Sequence, residues 1–158
     1  MGGIREAYIA NFSDVTGVTV TEGQVTAITM AESAKFKKYY FKRDTSSFTS
    51  TLNVDPANGV NYVSTDIVLL FTRMDTTKRT EVAALSTNEL VLIVRDANGK
   101  YWYFGHDEPV VASAGDGQTG TAKSDGNRYS ITLQDNAVTW PYEVLVGEEG
   151  VDLSTIVD

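Results

Sequence analysis

The chain has 158 residues, 42% hydrophobic and 22% charged, with a formal net charge of −8 and no cysteine. That is the size and make-up of one globular domain with a core of its own, which excludes wholesale disorder. The lack of cysteine excludes a disulfide framework, thiolate zinc sites and cysteine nucleophiles.

The opening residues, MGGIREAYIANFSD, carry Arg5 and Glu6 and no apolar run of signal-peptide length. No stretch reaches the roughly 20 apolar residues of a membrane helix. The expectation is synthesis in the cytoplasm of the producing cell, with no membrane span. Charge is uneven: residues 1–79 hold 9 basic and 8 acidic side chains, residues 80–158 hold 4 and 13. A chain polarised in this way has the means to pair its ends with copies of itself.

Short runs of Val, Ile, Thr and Tyr punctuated by Gly, Asn and Asp predict a mainly β fold. VTVTEGQVTAITM (18–30) breaks at Glu22-Gly23, and a two-residue turn there sets Val20 beside Val25. KFKKYYFKRDTSSFTSTLNVD (35–55) and GVNYVSTDIVLLFTRM (59–74) flank PAN and predict one long hairpin projecting from the body. In its first arm Phe48, Leu52 and Val54 alternate with Thr49, Thr51 and Asn53, which gives one apolar and one wettable face. Ile67 to Phe71 is apolar on both faces and belongs in a core.

DTTKRTEVAALSTNE (75–89) is the one convincing helix, capped by Asp75 or Thr76, with Val82 and Leu85 on one side. At about ten residues it depends on packing rather than propensity. ELVLIVRDANGKYWYFG (89–105) predicts a central hairpin. A two-residue type I′ turn at Asn98-Gly99 places Val94 opposite Tyr103 and Ile93 opposite Phe104. ASAGDGQTGTAKSDGN (112–127) predicts a flexible polar arm, feeding a strand in which Tyr129, Ile131 and Leu133 form the buried face. YEVLV (142–146) follows the boundary at Trp140-Pro141 as a last strand, and GEEGVDLSTIVD is an acidic tail, loose or docked on a neighbour. The expected architecture is a β-sandwich or open β-barrel with one packed α-helix and a long β-hairpin. It comprises a single domain over 1–147 and a tail over 148–158.

Chemistry-bearing patterns are thin. His106 in FGHDEPV has Asp107 and Glu108 beside it but no designated nucleophile, so it reads as a polar residue at a strand exit. Adjacent carboxylates such as Asp107/Glu108 and Glu148/Glu149 point to opposite faces of a strand, the wrong geometry for a glycosidase pair. KFKKYYFKR interleaves lysines with aromatics, yet on a strand neither face is a basic stripe, and lysine stems covering apolar neighbours explain it more simply than a nucleic-acid platform. GTAKSDGN lacks a glycine directly before Lys123 and is followed by a strand, which disposes of a phosphate loop. Asp116, Asp125 and Asn127 lack the one-in-two ligand spacing of a calcium hand. No catalytic residue, metal site or cofactor is expected.

NGKYWYFG followed by ASAGDGQTGTAKSDGNRYSITLQ resembles a group of short β-rich proteins of tailed bacteriophages and prophages of gut Bacteroides-type bacteria. The likeness runs from IREAYI to YEVLV. Within the phage repertoire it is similar to the tail-tube, or major tail, type. The resemblance implies a non-enzymatic virion protein whose hexameric rings stack into a tube, with other tail or connector proteins as partners and DNA passing non-specifically through the lumen. It implies that the 35–74 hairpin, with Lys37, Lys38, Tyr39, Tyr40, Phe41, Phe48, Asp55 and Asn58, forms ring and lumen wall. Asp116, Gln118, Lys123 and Asp125 of the polar arm, and Glu148 and Glu149 of the tail, would then make inter-ring contacts. An acidic wall suits a conduit that does not bind its cargo. A head-to-tail connector or capsid-decoration protein would use the same sandwich. A sugar-binding module would instead need exposed aromatics such as Tyr101 and Tyr103, or Trp140 and Tyr142, on one face.

Overall fold

In a computed structural model of the chain, the residues described are 3–32, 34–41, 46–57, 59–72, 80, 83–85, 87–106, 108–118, 128–138, 140–147, 150–151 and 153–157. The strands are β1 (Ile4–Asn11), β2 (Val15–Thr21), β3 (Gln24–Met30), β4 (Lys37–Tyr40), β5 (Ser47–Asp55), β6 (Val60–Thr72), β7 (Leu90–Asp96), β8 (Tyr101–Phe104), β9 (Val111–Gln118), β10 (Arg128–Ala137) and β11 (Tyr142–Val144). They form a seven-stranded sheet in the order β2-β3-β11-β8-β7-β1-β4 and a four-stranded sheet in the order β5-β6-β10-β9. The chain is thus mainly β, in two open sheets with the arrangement of a β-sandwich.

Strand β7 runs through the middle of this arrangement. Leu90 to Val94 are all buried, five successive residues with no solvent face. Because successive strand side chains point to opposite faces, such a run demands cover on both sides. Leu90, Leu92 and Val94 join Ala7 and Ile9 of β1 and Phe104 of β8 against Ile67, Leu69, Ile131 and Leu133 of the smaller sheet. Val91 and Ile93 point the other way, into a second core with Tyr8, Val25, Phe36, Tyr103 and Val144. A register shift between Ile4 and Glu6 returns Ile4 to the inner core although Glu6 faces outward.

The second core is closed by the C-terminal segment. Val151 and Ile156 are buried in it, and Leu153 and Val157 pack at its edge. Backbone bonds fix the segment: Phe36 N donates to Ile156 O at 2.7 Å, and Val151 N to Leu145 O at 2.7 Å. The acidic composition of GEEGVDLSTIVD hides an i, i+5 pair of apolar plugs, so what reads as a tail is a strap on the chain's own sheet. Its short helix spans Leu153–Ile156.

Several expectations hold. Glu22 (φ 53°) and Gly23 (φ 80°) make the two-residue turn, and Val20 pairs with Val25. Ile67, Leu69 and Phe71 are buried, as are Ile131 and Leu133. Helical residues occur at 80, 83–85 and 87, with Leu85 sealing the inner core. Asp75, Thr76 and Val82 lie outside the described residues.

Others are corrected. The β7–β8 register is one residue away from the type I′ expectation: Ile93 pairs with Tyr103, Val94 with Trp102 and Leu92 with Phe104. Only Gly99 (φ 84°) is left-handed in this turn, so the loop has three residues, Ala97 to Gly99, the geometry of a type I turn with a glycine bulge. Asp96 decides between the two turns. Its carboxylate accepts bonds from the backbone N of Asn98 (2.8 Å) and Lys100 (3.0 Å) through Oδ1, and from Trp102 Nε1 (3.0 Å) through Oδ2. The 35–74 segment is not one hairpin. β4 pairs with β1 in the large sheet, and the hairpin is β5–β6 alone, in the small one. The polar arm is in its first half the edge strand β9, paired with β10 from Gln118↔Arg128 to Val111↔Gln134; residues 119–127 lie outside the described set.

If both cores are integral, Ile93→Ala will lower the unfolding free energy by about 2–5 kcal/mol, and Ile156→Ala will lower it measurably as well. Urea titration followed by tryptophan fluorescence checks this; an unmoved midpoint for Ile156→Ala would mean that the strap is loose. The Asp96 turn gives a pH signature. Burial disfavours its charged form, but the bonds from Trp102, Lys100 and Asn98 and the Lys100 charge outweigh burial and hold its pKa below the usual value. A depressed carboxylate adds stability above its unfolded pKa, about 3.9, and loses it as pH falls through the folded value. Asp96→Asn should therefore cost about 1–2 kcal/mol near neutrality, and its stability should converge with that of the unmutated protein as the pH falls through the lowered folded pKa.

Candidate interaction surfaces

The first surface lies on the outer face of the large sheet, at its β4 edge. The register places Glu6 opposite Tyr40 and Arg95, and Tyr8 opposite Lys38, so these side chains share a face. Glu6 is the hub. Its Oε2 accepts from the Tyr8 hydroxyl at 2.7 Å, and its Oε1 lies 3.7 Å from Lys38 Nζ and 3.5 Å from Arg95 Nη1. Lys38 Nζ also sits 4.6 Å from the Tyr40 ring centre and 5.6 Å from that of Tyr8, while the Arg95 guanidinium covers Tyr101 at 5.9 Å.

Burial first, then the Glu6 hydrogen bond and charge, push the Tyr8 hydroxyl well above its ordinary pKa. Lys38 is held above its own by the Tyr40 contact, helped by the Glu6 charge. Both groups therefore keep one protonation state near neutral pH. With its carboxylate engaged by three donors, this cluster is a fixed cationic and aromatic platform rather than an acid–base device. Its outermost member, Tyr40, is 72% exposed.

The second surface is the far end of the β5–β6 hairpin. Phe48 packs on Phe104 (5.1 Å between ring centres) and Trp102 (6.4 Å), and Ser50 meets Thr65 at 2.8 Å, so this half of the hairpin belongs to the body. Beyond it the same alternation continues without cover. Leu52 is 46% exposed and Val54 58%, and Tyr62 on the neighbouring strand is 39% exposed. Leu52, Val54, Asp55 and Tyr62 line an open groove of about 530 Å³ at this end, although the register, with Tyr62 opposite Asn53, sets Tyr62 and Asp55 on the other face from Leu52 and Val54. Asp55 Oδ1 accepts from Ala57 N at 3.1 Å and shapes the turn.

The expected contact residues divide accordingly. Lys37, Lys38 and Tyr40 share the β4 edge, and Asp55 stands at the hairpin end. Tyr39 packs edge-on against Phe71 at 5.4 Å, and Phe41 is buried in the inner core, so both are packing residues, as Phe48 is in part. Asp116 and Gln118 lie on the backbone of edge strand β9. Asn58, Lys123, Asp125, Glu148 and Glu149 are outside the described residues. The sequence offered no assignment for Glu6, Tyr8 and Arg95, whose only signal was charge and aromatic residues at strand spacing, and it pointed to Tyr101 only as an aromatic of a sugar-binding face. It also passed over the exposure of Leu52, Val54 and Tyr62, because alternation marks a face but not where the opposing sheet ends.

His106 packs edge-on against Tyr142 at 5.2 Å between ring centres, beside a groove of about 190 Å³ lined by Phe12, Val18, Val91 and Tyr103. Among the described residues, no three His, Asp or Glu side chains gather as metal ligands. Among the described residues, no helix is long and apolar enough to cross a membrane. Comparison with protein-family models, with characterised proteins and with solved structures gave no match to this chain.

If Glu6 organises the platform, Glu6→Gln will remove both ion pairs and cost about 1 kcal/mol at low salt, with the difference shrinking toward about 1 M salt. Paired urea titrations at the two salt levels check this; equal differences would show that the charges contribute nothing.

Proposed function

We propose that this chain is a non-enzymatic structural subunit that assembles with copies of itself, of the phage tail-tube type: rings stacked into a conduit through which DNA passes. The observation that carries the reading is the pair of exposed, chemically distinct strand edges. One is a cationic and aromatic edge on the large sheet, and the other an apolar hairpin end on the small sheet. Free strand edges and exposed apolar patches are liabilities in a solitary soluble protein, which normally blunts or covers them. A subunit built for repeated contact keeps them. The resemblance of NGKYWYFG and the following stretch to tail-tube proteins supports the virion setting.

The test is direct. Concentrated protein viewed by negative-stain electron microscopy should form rings or filaments, with a sedimentation profile that shifts with concentration. A strictly monomeric species across varied salt and concentration would sink the reading. A single closed ring that never stacks would favour a head-to-tail connector.

A further inference from the structure

The alternation of β8 sends Trp102 and Phe104 toward the small sheet and Tyr103 to the outer face. Trp102 Nε1 finds its partner in Asp96. Tyr103 is only 2% exposed, yet among the described residues no group is hydrogen-bonded to its hydroxyl. Burial first, then the Asp135 charge, push its pKa up, so the hydroxyl stays a hydrogen-bond donor. A buried donor without an acceptor costs free energy, and it marks a place where an acceptor belongs. The groove of about 190 Å³ beside His106 supplies the space. Tyr103 lines it, with Phe12, Val15, Val18 and Val91 as apolar walls. Gly105 also lines it and keeps it open, because a Cβ there would stand 3.0 Å from the Leu90 carbonyl oxygen. His106 lies edge-on to Tyr103 at 6.4 Å and to Tyr142 at 5.2 Å between ring centres.

We propose that this groove binds a small neutral ring compound with one hydrogen-bond acceptor, the ring against Phe12, Val18 and Val91 and the acceptor on the Tyr103 hydroxyl. Size sets the first limit. The volume exceeds the roughly 150 Å³ of a cavity that takes benzene, and it falls short of the roughly 300 Å³ at which pockets for drug-sized ligands begin. Charge sets the second, since the Asp135 charge that opposes ionisation of Tyr103 also opposes an anionic ligand. An aryl ketone has the size, the neutrality and the acceptor. An ordered water would satisfy the hydroxyl but leave the apolar walls uncovered. The site lies within one subunit and does not depend on self-assembly.

Acetophenone and ethylbenzene test this, being matched in shape and differing in the carbonyl oxygen. In an amide-resolved NMR titration, acetophenone should give saturable shifts at Val18, Val91, Gly105 and His106. Ethylbenzene should bind about fivefold more weakly, and Tyr103→Phe should weaken acetophenone by about the same factor, the worth of one neutral hydrogen bond. Val18→Trp, at a half-buried position, should fill the groove and abolish the shifts, and it carries the test if Tyr103→Phe does not fold. Without ligand, Tyr103→Phe should keep or raise the melting temperature, since the hydroxyl has no bond to lose. A lowered melting temperature would reveal a structural water on the hydroxyl and overturn the proposal. So would the absence of saturable shifts up to the solubility limit, equal affinity for the two compounds, or shifts that survive Val18→Trp.

Discussion

The burial of β7 on both faces is the constraint from which the rest of the architecture follows. A strand reading Leu-Val-Leu-Ile-Val has no side to offer water, and each of its fully buried side chains contributes about 1.5–3 kcal/mol only if something covers it. On one side the four-stranded sheet does so, through Ile67, Leu69, Ile131 and Leu133. On the other, no second sheet exists among the described residues, and the cover comes from the C-terminal strap together with Phe36, ahead of β4. The protein is therefore a sandwich with an added outer layer, and the last residues of the chain belong to its stability. This also explains the parallel pairing of β11 with β3, which brings Val144 beside Val25 just ahead of the strap.

The same layering fixes where the interaction surfaces lie. The strap and Phe36 cover the outer face of the large sheet around Tyr8, Ile93 and Tyr103, while Tyr40, at the β4 end of the same face, remains exposed. There the face is finished with charge: Glu6 neutralises Lys38 and Arg95 in part and holds them against Tyr8, Tyr40 and Tyr101. On the small sheet, half-buried Ser50 and buried Thr65 and Asp135 form a polar row beyond Phe48 and Ile67, and past that row Leu52 and Val54 stand exposed. The two exposed regions are the places where the layers run out.

What the sequence revealed and what it hid divide along the range of the forces involved. Local chemistry was legible: the Glu22-Gly23 turn, the alternation of Tyr129, Ile131 and Leu133, and the doubly apolar run in β6. The β7–β8 register was not, because Asn98-Gly99 suits a two-residue turn taken alone. The side chain of Asp96, bonded to Asn98, Lys100 and Trp102, selects a three-residue loop instead. The split of 35–74 was equally hidden, since nothing within KFKKYYFKR announces that its partner is β1 rather than β6. Small residues concealed β9, where Ala112, Ala114 and Gly115 meet β10 through backbone pairing that side-chain patterning cannot signal. The strap was masked by its acidic composition, although Val151 and Ile156 do the packing. For the candidate surfaces the residue types were visible, but only the extent of the opposing sheet decides which alternating positions are left open.

Self-assembly, as proposed, would be constrained by symmetry. A two-fold dimer requires a patch that complements itself, so that each residue contact occurs twice about the axis. A contact between two different patches that is not reciprocated is heterologous, and repeating its rotation yields a closed ring or an open helix according to the angle. That angle is set by how the sheets are held across the inner core, where Phe104, Phe48 and Leu133 interlock. In the proposed assembly the packing that stabilises the single subunit would thereby also determine the symmetry of the oligomer.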